Sequence, residues 1–307
     1  MADLAARLLY LCAAAFARLP WAALKRIADA LAAVWRMLDV REAKVARRNL
    51  ELIGPGWPPA ERERLLRAVL RSTARQLIET LVLWTHRPAR NLDRITQVHG
   101  TDAFDAALAA GRGVLVAAPH HGNWELLNQW LAARTPLAIL YKPPQSKVGD
   151  AFLRIVRAAG GGARVTQVRA EGQGVRELFK RLRAGGVVGI LPDQQPRSSG
   201  GDGVLAPFFG LPAFTMTLLG RLAERSGAAV LFAWCERIGD GPTFALHLVP
   251  APEGIASADA KVSATALNAA VEAIARRDLA QYQWTYKRFR LRPERDGAQN
   301  PYQGLRT

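Results

Sequence analysis

Gly113-Val-Leu-Val-Ala-Ala-Pro-His-His-Gly-Asn-Trp-Glu125 is the stretch whose reading decides the fold. Positions 114–118 form a short apolar run between Gly113 and Pro119, the pattern of a buried strand. Beyond Pro119 the chain carries His120, His121 and Glu125 into a turn, just before a helix-like run at 126–134. Open α/β sheets hold their sites at the C-terminal ends of strands, where such a turn lies. A histidine and a carboxylate five positions apart at that place make a candidate general-base pair.

The pattern repeats outward from there. Strand candidates fall at 114–118, 137–141, 164–168, 187–191, 228–234 and 244–249, with helix candidates at 126–133, 148–159, 175–184 and 215–226. The alternation argues for an α/β fold with a partly parallel sheet and helices on its faces. A further helix at about 259–277 precedes a basic tail. Residues 1–86 read as helical, broken once by Gly54-Pro-Gly-Trp-Pro-Pro59, and 60–84 keep leucines at helical spacing. Two regions follow: a helical, membrane-associating 1–86 and an α/β domain over 87–307.

A chain of 307 residues that is 50% hydrophobic has the material for a sizeable core, which excludes disorder. Its 42 Lys and Arg against 26 Asp and Glu give a formal charge of +16. So basic a surface suits nucleic acid, an anionic membrane or an acidic partner. No zinc-finger, helix-turn-helix or RNA-binding aromatic signature occurs, so nucleic acid is not the expected partner. Cys12 and Cys235 lie in apolar settings without metal or redox spacing. Both read as small buried residues, in a chain that faces the cytosol.

The uncharged run 8–17, followed after Arg18 by 19–24, is too short for the ~18–20 apolar residues of a spanning helix. Asp3 stands where a signal peptide needs basic residues. Trp21, Lys25, Arg26, Trp35 and Arg36 among the apolar positions suit helices lying in a membrane interface. A core-packing helix pair is the alternative.

Acylating a hydroxyl requires removing its proton as the oxygen attacks, and histidine is the side chain matched to that task near pH 7. A carboxylate behind the imidazole fixes its tautomer and stabilises the imidazolium. His120 and Glu125 can fold back on each other around Gly122. His121 and Glu125 instead stand at i,i+4, which on a helix would present two metal ligands on one face. His86, His99 and His247 are isolated and no acidic cluster lies near, so no metal is expected. A satisfied surface histidine pair is the plain alternative.

The segment resembles the His-x4-Asp/Glu signature of glycerolipid-type acyltransferases, and specifically the bacterial late acyltransferases of lipid A biosynthesis. Ordered matches extend over most of the chain: Arg48-Asn49-Leu50, Glu79, Trp84, Tyr141-Lys142-Pro143, Arg157, Pro192-Asp193-Gln194-Gln195, Pro207-Phe208-Phe209-Gly210, Ala213, Thr215, Gln281-Tyr282-Gln283-Trp284, Arg288-Phe289 and Arg292-Pro293. Lys142, Ala159 and Gln195 depart from it, standing where arginine, arginine and aspartate are common. The resemblance implies a glycerolipid-acyltransferase-like sheet, His120 as general base, Glu125 as its orienting partner and Arg157 as the arginine that polarises the thioester carbonyl. Arg154, one turn away, is placed to do the same work. Asp193 ends a strand at the same sheet edge, either as catalytic support or as a turn cap.

Candidate substrate-binding residues are Asn123, Tyr141, Lys142, Arg154, Phe208 and Phe209. The two phenylalanines read either as a lining for an acyl chain or as core. The glycine-rich 197–203 lacks a phosphate-loop pattern and reads as a lid or a plain loop. The alternating basic stretch 287–295 reads as a contact for lipid phosphate or an acidic carrier, or as a solvated face.

The expected activity, as the resemblance implies, is acyl transfer from an acyl-carrier-protein thioester, or acyl-CoA, to a hydroxyl of a phosphorylated lipid A precursor. No cofactor is required. The expected location is the cytoplasmic face of the bacterial inner membrane, peripheral or monotopic. A different lipid acceptor, such as a lysophospholipid or an ornithine-type lipid, and a catalytically silent membrane-binding protein are the rivals.

Overall fold

The computed structural model describes residues 1–141, 146–159, 164–169, 172–196, 203–290 and 300–305, the side chains of 157–159 excepted. The chain opens with four helices, α1 Ala2–Phe16, α2 Trp21–Met37, α3 Arg41–Ile53 and α4 Pro59–Thr85. The expected break at 54–59 separates α3 from α4. Pro59 opens α4 at a position where its missing N–H costs nothing. Along α4, Leu66, Val69, Leu70 and Ala74 are buried at helical spacing, so its apolar stripe faces inward.

After α5 Pro88–Leu92 come β1 Ile95–His99, α6 Thr101–Ala109, β2 Val114–Ala117, α7 Trp124–Arg134, β3 Leu137–Tyr141, α8 Lys147–Ala159, β4 Val165–Arg169, α9 Gly172–Arg183 and β5 Val187–Ile190. The hairpin β6 Gly203–Phe208 and β7 Leu211–Met216 follows, then α10 Leu218–Ser226, β8 Ala229–Ile238, β9 Thr243–Pro250 and α11 Ala260–Arg277. Seven strands form one sheet in the order β1-β9-β8-β2-β5-β3-β4. The five from β8 to β4 are parallel, while β9 runs antiparallel to β8 and β1 follows β9. The fold is therefore mixed α/β with a mostly parallel sheet flanked by helices.

All four residues of β2 are buried, as a central strand covered on both faces requires. Leu115 and Ala117 join the core under α2–α4, α9 and α10, whereas Val114 and Val116 join the opposite core beneath α6 and α7. The N-terminal helices thus share their core with one sheet face. They are also tied to the β8–β9 turn, where Trp21 donates to the Asp240 carbonyl at 3.0 Å and Arg75 pairs with Asp240 and Asp29.

Four local expectations change. Strand β1 went unread because its burial runs intermediate and then exposed, without a two-residue alternation. The hairpin β6–β7 turns through Phe209 (φ 50°) and Gly210 (φ 74°), the backbone of a type I′ turn without its usual Asn-Gly. Thr215, expected to open a helix, lies in β7 and is buried there. Cys235 is buried as expected, but Cys12 is exposed because α1 buries only Ala6, which packs near Ala151, Phe152 and Val156 of α8. The outward side of α1 and α2 carries exposed Leu4, Leu8, Leu9, Leu11, Ile27 and Val34. Among the described residues no helix is long and apolar enough to cross a membrane.

Candidate active site

Strands β2 and β5 are parallel neighbours with Ala117 opposite Ile190, and the ladder is extended by the Ala118 N–H donating to the Ile190 carbonyl at 2.8 Å. The segments leaving their C-terminal ends therefore emerge side by side. Pro119 leads into His120 on one, and Pro192 into Asp193 on the other. The His120 backbone N–H donates to Asp193 Oδ2 at 3.0 Å, and Nδ1 of its ring lies 2.7 Å from Oδ1. The carboxylate behind the imidazole is that of Asp193, where the sequence reading put Glu125.

Burial alone would push the Asp193 carboxyl upward. The charge of His120 and the hydrogen bonds Asp193 receives from its side chain and backbone outweigh this and hold it below the usual carboxylate range. An ionised carboxylate only accepts, so Nδ1 carries the proton, and in the neutral form of the ring Nε2 keeps its lone pair. Nε2 meets the Gln194 amide nitrogen at 3.2 Å. That nitrogen also donates to Gln283 Oε1 at 3.1 Å, and the Gln283 N–H donates to the His120 carbonyl at 3.0 Å. Tyr282 adds a side-chain hydrogen bond to Asp193, and burial followed by that carboxylate's charge pushes its phenol well up.

The turn is shaped from below. Gly122 has φ of 61°, and a Cβ there would lie 2.0 Å from the Cys235 carbonyl oxygen, so only glycine lets the turn lie on β8. The next N–H, that of Asn123, donates to the same carbonyl at 2.7 Å. Asn123 is fully buried: its Oδ1 caps α7 by accepting from the Leu126 N–H at 3.2 Å, and its Nδ2 donates to Glu79 at 3.2 Å. Glu79 is held by Arg237 through Nε at 2.5 Å and Nη2 at 3.0 Å, and Arg237 reaches Ser72. Helix α4 thus braces the histidine turn through a buried ion pair. Asn123, expected to bind substrate, spends its amide on this brace.

His121 precedes the α7 cap, so the i,i+4 helical face it would share with Glu125 does not form. Its ring is buried, neither nitrogen has a partner among the described residues, and burial lowers its pKa to about 4. Among the described residues no group of three or more His, Cys, Asp or Glu is arranged to hold a metal ion.

His120 opens on a cleft of about 1460 Å³ that is also lined by Trp124, Glu125, Tyr141 and Gln194. Leu83, Trp84, Leu140, Leu153 and Val156 supply apolar wall. Glu125 sits in the first turn of α7, half-buried. Arg157 lies on α8, whose Leu153 and Val156 reach the cleft, but its side chain is outside the described residues, as is all of Lys142. Arg154 is exposed and pairs with Asp3 at 3.5 Å and Asp150 at 3.9 Å.

Phe208 and Phe209 are core: Phe208 packs among Phe209, Tyr282, Trp284 and Phe289, away from the cleft lining. Of the loop 197–203 only Gly203 is described, as the start of β6. In the described part of the tail stretch, Lys287, Arg288 and Phe289 are buried and Arg290 is exposed. Arg288 is buried and donates to the Phe214 carbonyl, Thr215 and Asn268, and Lys287 donates to the Leu305 carbonyl; 291–299 lie outside the described residues.

Gln194, Gln283, Glu79 and Arg237 had no role in the sequence reading. The first three stand in stretches quoted for their resemblance, which was their signal. Arg237 gave none, because an arginine in a strand is told from a surface one only by what faces it.

The family model described as bacterial lipid A biosynthesis acyltransferase matches residues 5–291. The lipid A biosynthesis lauroyltransferase of Escherichia coli (strain K12) is 29% identical over 280 residues, covering 90% of this chain and 88% of the relative. The palmitoleoyltransferase of lipid A biosynthesis from the same organism is 28% identical over the same shares. A phosphatidylinositol mannoside acyltransferase of Mycobacterium tuberculosis (strain CDC 1551 / Oshkosh) is 33% identical over 210 residues, covering 66% of this chain and 63% of the relative. With a match running nearly end to end and a histidine–carboxylate pair opening on a large lipid-sized cleft, the chain belongs to the bacterial lipid A biosynthesis acyltransferase family.

Proposed function

We propose that this acyltransferase moves a fatty acyl group from an acyl-carrier-protein thioester to a hydroxyl of a phosphorylated lipid A precursor, with His120 as general base. Nε2 takes the hydroxyl proton as the oxygen attacks the thioester carbonyl. The C–S bond then breaks, and the proton passes from the imidazolium to the leaving thiolate. Asp193 stays ionised, fixes the tautomer and stabilises the imidazolium. The Gln194 amide beside Nε2 and the guanidinium of Arg157 are the proposed donors to the developing oxyanion. Glu125, lining the same cleft, is proposed to accept a hydrogen bond from the acceptor.

The observation that carries this reading is the His120–Asp193 bond at the mouth of an apolar cleft. The outward apolar side chains of α1 and α2, flanked by Arg7, Arg18, Lys25 and Arg26, support a seat on the anionic cytoplasmic face of the inner membrane. The test is thin-layer analysis of labelled acyl-carrier-protein incubated with a lipid A precursor and wild type, H120A or D193N. Transfer by wild type that both variants lose supports the reading; transfer that H120A keeps overturns the mechanism. The mycobacterial relative favours a second reading, in which the acceptor is another glycolipid, and a mannoside lipid belongs in the same panel.

A further inference from the structure

One side-chain amide, that of Gln194, answers to two partners. Its nitrogen lies 3.2 Å from His120 Nε2 and donates to Gln283 Oε1 at 3.1 Å. A primary amide nitrogen carries two hydrogens, so one goes to the base and the other to Gln283. With Nδ1 protonated against Asp193, the neutral ring offers a lone pair at Nε2, which a donor must face. In the resting site, the lone pair that has to take the acceptor's proton is therefore capped by an N–H.

Gln283 decides which end of that amide is presented. Turning the Gln194 amide over would set its oxygen against both the Nε2 lone pair and Gln283 Oε1. Turning both amides over would restore the bond between them but leave an oxygen against the lone pair. Gln283 is also fixed relative to the base. Its N–H donates to the His120 carbonyl at 3.0 Å, and the Gly122 N–H donates to the Gln281 carbonyl at 3.1 Å. Between those bonds, His121 and Tyr282 form an antiparallel bridge. The Gln281 side chain accepts from the Arg237 N–H at 2.8 Å and donates to the Arg237 carbonyl at 3.0 Å, which pins the stretch to β8. Residues 281–283 and the histidine turn are thus one unit. His120 and Gln194 line the cleft and Gln283 does not, so Gln283 acts on the site through Gln194.

An acceptor hydroxyl that donates to Nε2 displaces the Gln194 N–H. As the hydroxyl proton passes to Nε2 and its oxygen bonds the thioester carbon, the carbonyl π pair moves onto the carbonyl oxygen. The amide, still tethered to Gln283 by its other hydrogen, then turns a donor rather than its own carbonyl toward the new negative charge.

We infer that Gln283 is a positioning residue for acyl transfer: its Oε1 holds the Gln194 amide nitrogen-first toward Nε2, so that the N–H released by the arriving hydroxyl passes to the oxyanion. This deepens the acyl-transfer reading and rests on it for the reacting groups.

The test has one arm without turnover and one with it, on variants shown to be folded by their melting curves. Exchange of the Gln194 side-chain N–H is followed by NMR in protein labelled with 15N at glutamine, the signals being assigned by their loss in Q194M. Q283M should speed that exchange by at least about fivefold, as the loss of one hydrogen bond does, whereas Q283E keeps an acceptor there and should retain the protection. In acyl transfer, Q283M should lower kcat by about tenfold and leave each KM within about twofold, and Q194M/Q283M should be no slower than Q194M. Unchanged exchange in Q283M, an unaltered kcat, a loss confined to KM, or a kcat loss that Q283M still adds to Q194M overturns the inference. A wild type that transfers no acyl group overturns the acyl-transfer reading instead, and the exchange arm still decides whether Gln283 orients the amide.

Discussion

Nδ1 of His120 lies 2.7 Å from Oδ1 of Asp193, although the two residues are 73 positions apart. They meet because β2 and β5, remote in sequence, are adjacent and parallel in the sheet. The loops leaving parallel neighbours rise from the same edge, where open α/β sheets place their sites. Glu125, five positions from His120, lines the same cleft from the first turn of α7.

The first prediction tests which carboxylate orients the imidazole. D193N keeps the shape but presents an amide to Nδ1, which no longer enforces the tautomer that leaves Nε2 free. Acyl transfer should fall by about 10²–10⁴-fold in kcat, and D193N combined with H120A should be little worse than H120A alone. E125A should act mainly on acceptor KM. Steady-state kinetics on the three single variants decides it; a D193N enzyme within a few-fold of wild type would sink the assignment.

The Glu79–Arg237 pair is nearly sealed from water, with side chains 3% and 6% exposed. Removing one partner leaves the other charge buried, so E79Q or R237M should each cost about 3–5 kcal/mol in urea unfolding. The double E79M/R237M should cost less than the two singles summed, because no lone charge remains. Strict additivity would show that the pair is not a coupled unit.

Burial holds His121 neutral with a pKa near 4 in the folded chain, against an ordinary value of 6.5. Between those values the unfolded chain binds a proton that the folded chain refuses. Stability is therefore full above about pH 6.5 and falls as pH drops toward 4, by up to about 3 kcal/mol for this group. Partly buried His247, also lowered to about 4 mainly by burial, adds to the slope in the same window. H121F should flatten part of the pH dependence of the unfolding free energy and leave the rest to His247. An unchanged slope would mean that His121 titrates normally.

Leu8 and Leu11 are 55% and 62% exposed on α1. If they enter a bilayer, each buries a side chain worth roughly 1.5–3 kcal/mol, and L8D/L11D should weaken sedimentation with anionic vesicles by at least about a hundredfold. The melting temperature should barely move, because neither side chain is part of the core. Binding that survives the double change would remove α1 from the interface.

Much of this was legible without a structure. Val114–Ala117 lie in the run 114–118 that read as a buried strand, because five apolar residues between a glycine and a proline have no other place for their surface. The broken N-terminal helices, the alternating strands and the histidine turn followed from the same periodicities. What failed shares one cause. Strand β1 is a half-exposed edge without alternation, and the β6–β7 hairpin turns at Phe-Gly. The pairing of Phe208 with a core rather than a cleft was invisible, since an aromatic side chain is equally suited to either.

Sequence by itself determined most of the local states: which segments are helix or strand, and where glycine must stand. Those depend on neighbours a few positions away, through backbone sterics and apolar periodicity. Tertiary structure alone decided which carboxylate and which amide face His120, and which arginine secures Glu79. Each of these is fixed by strand order and helix packing, and a pairing across 73 or 158 positions leaves no periodic trace in the chain.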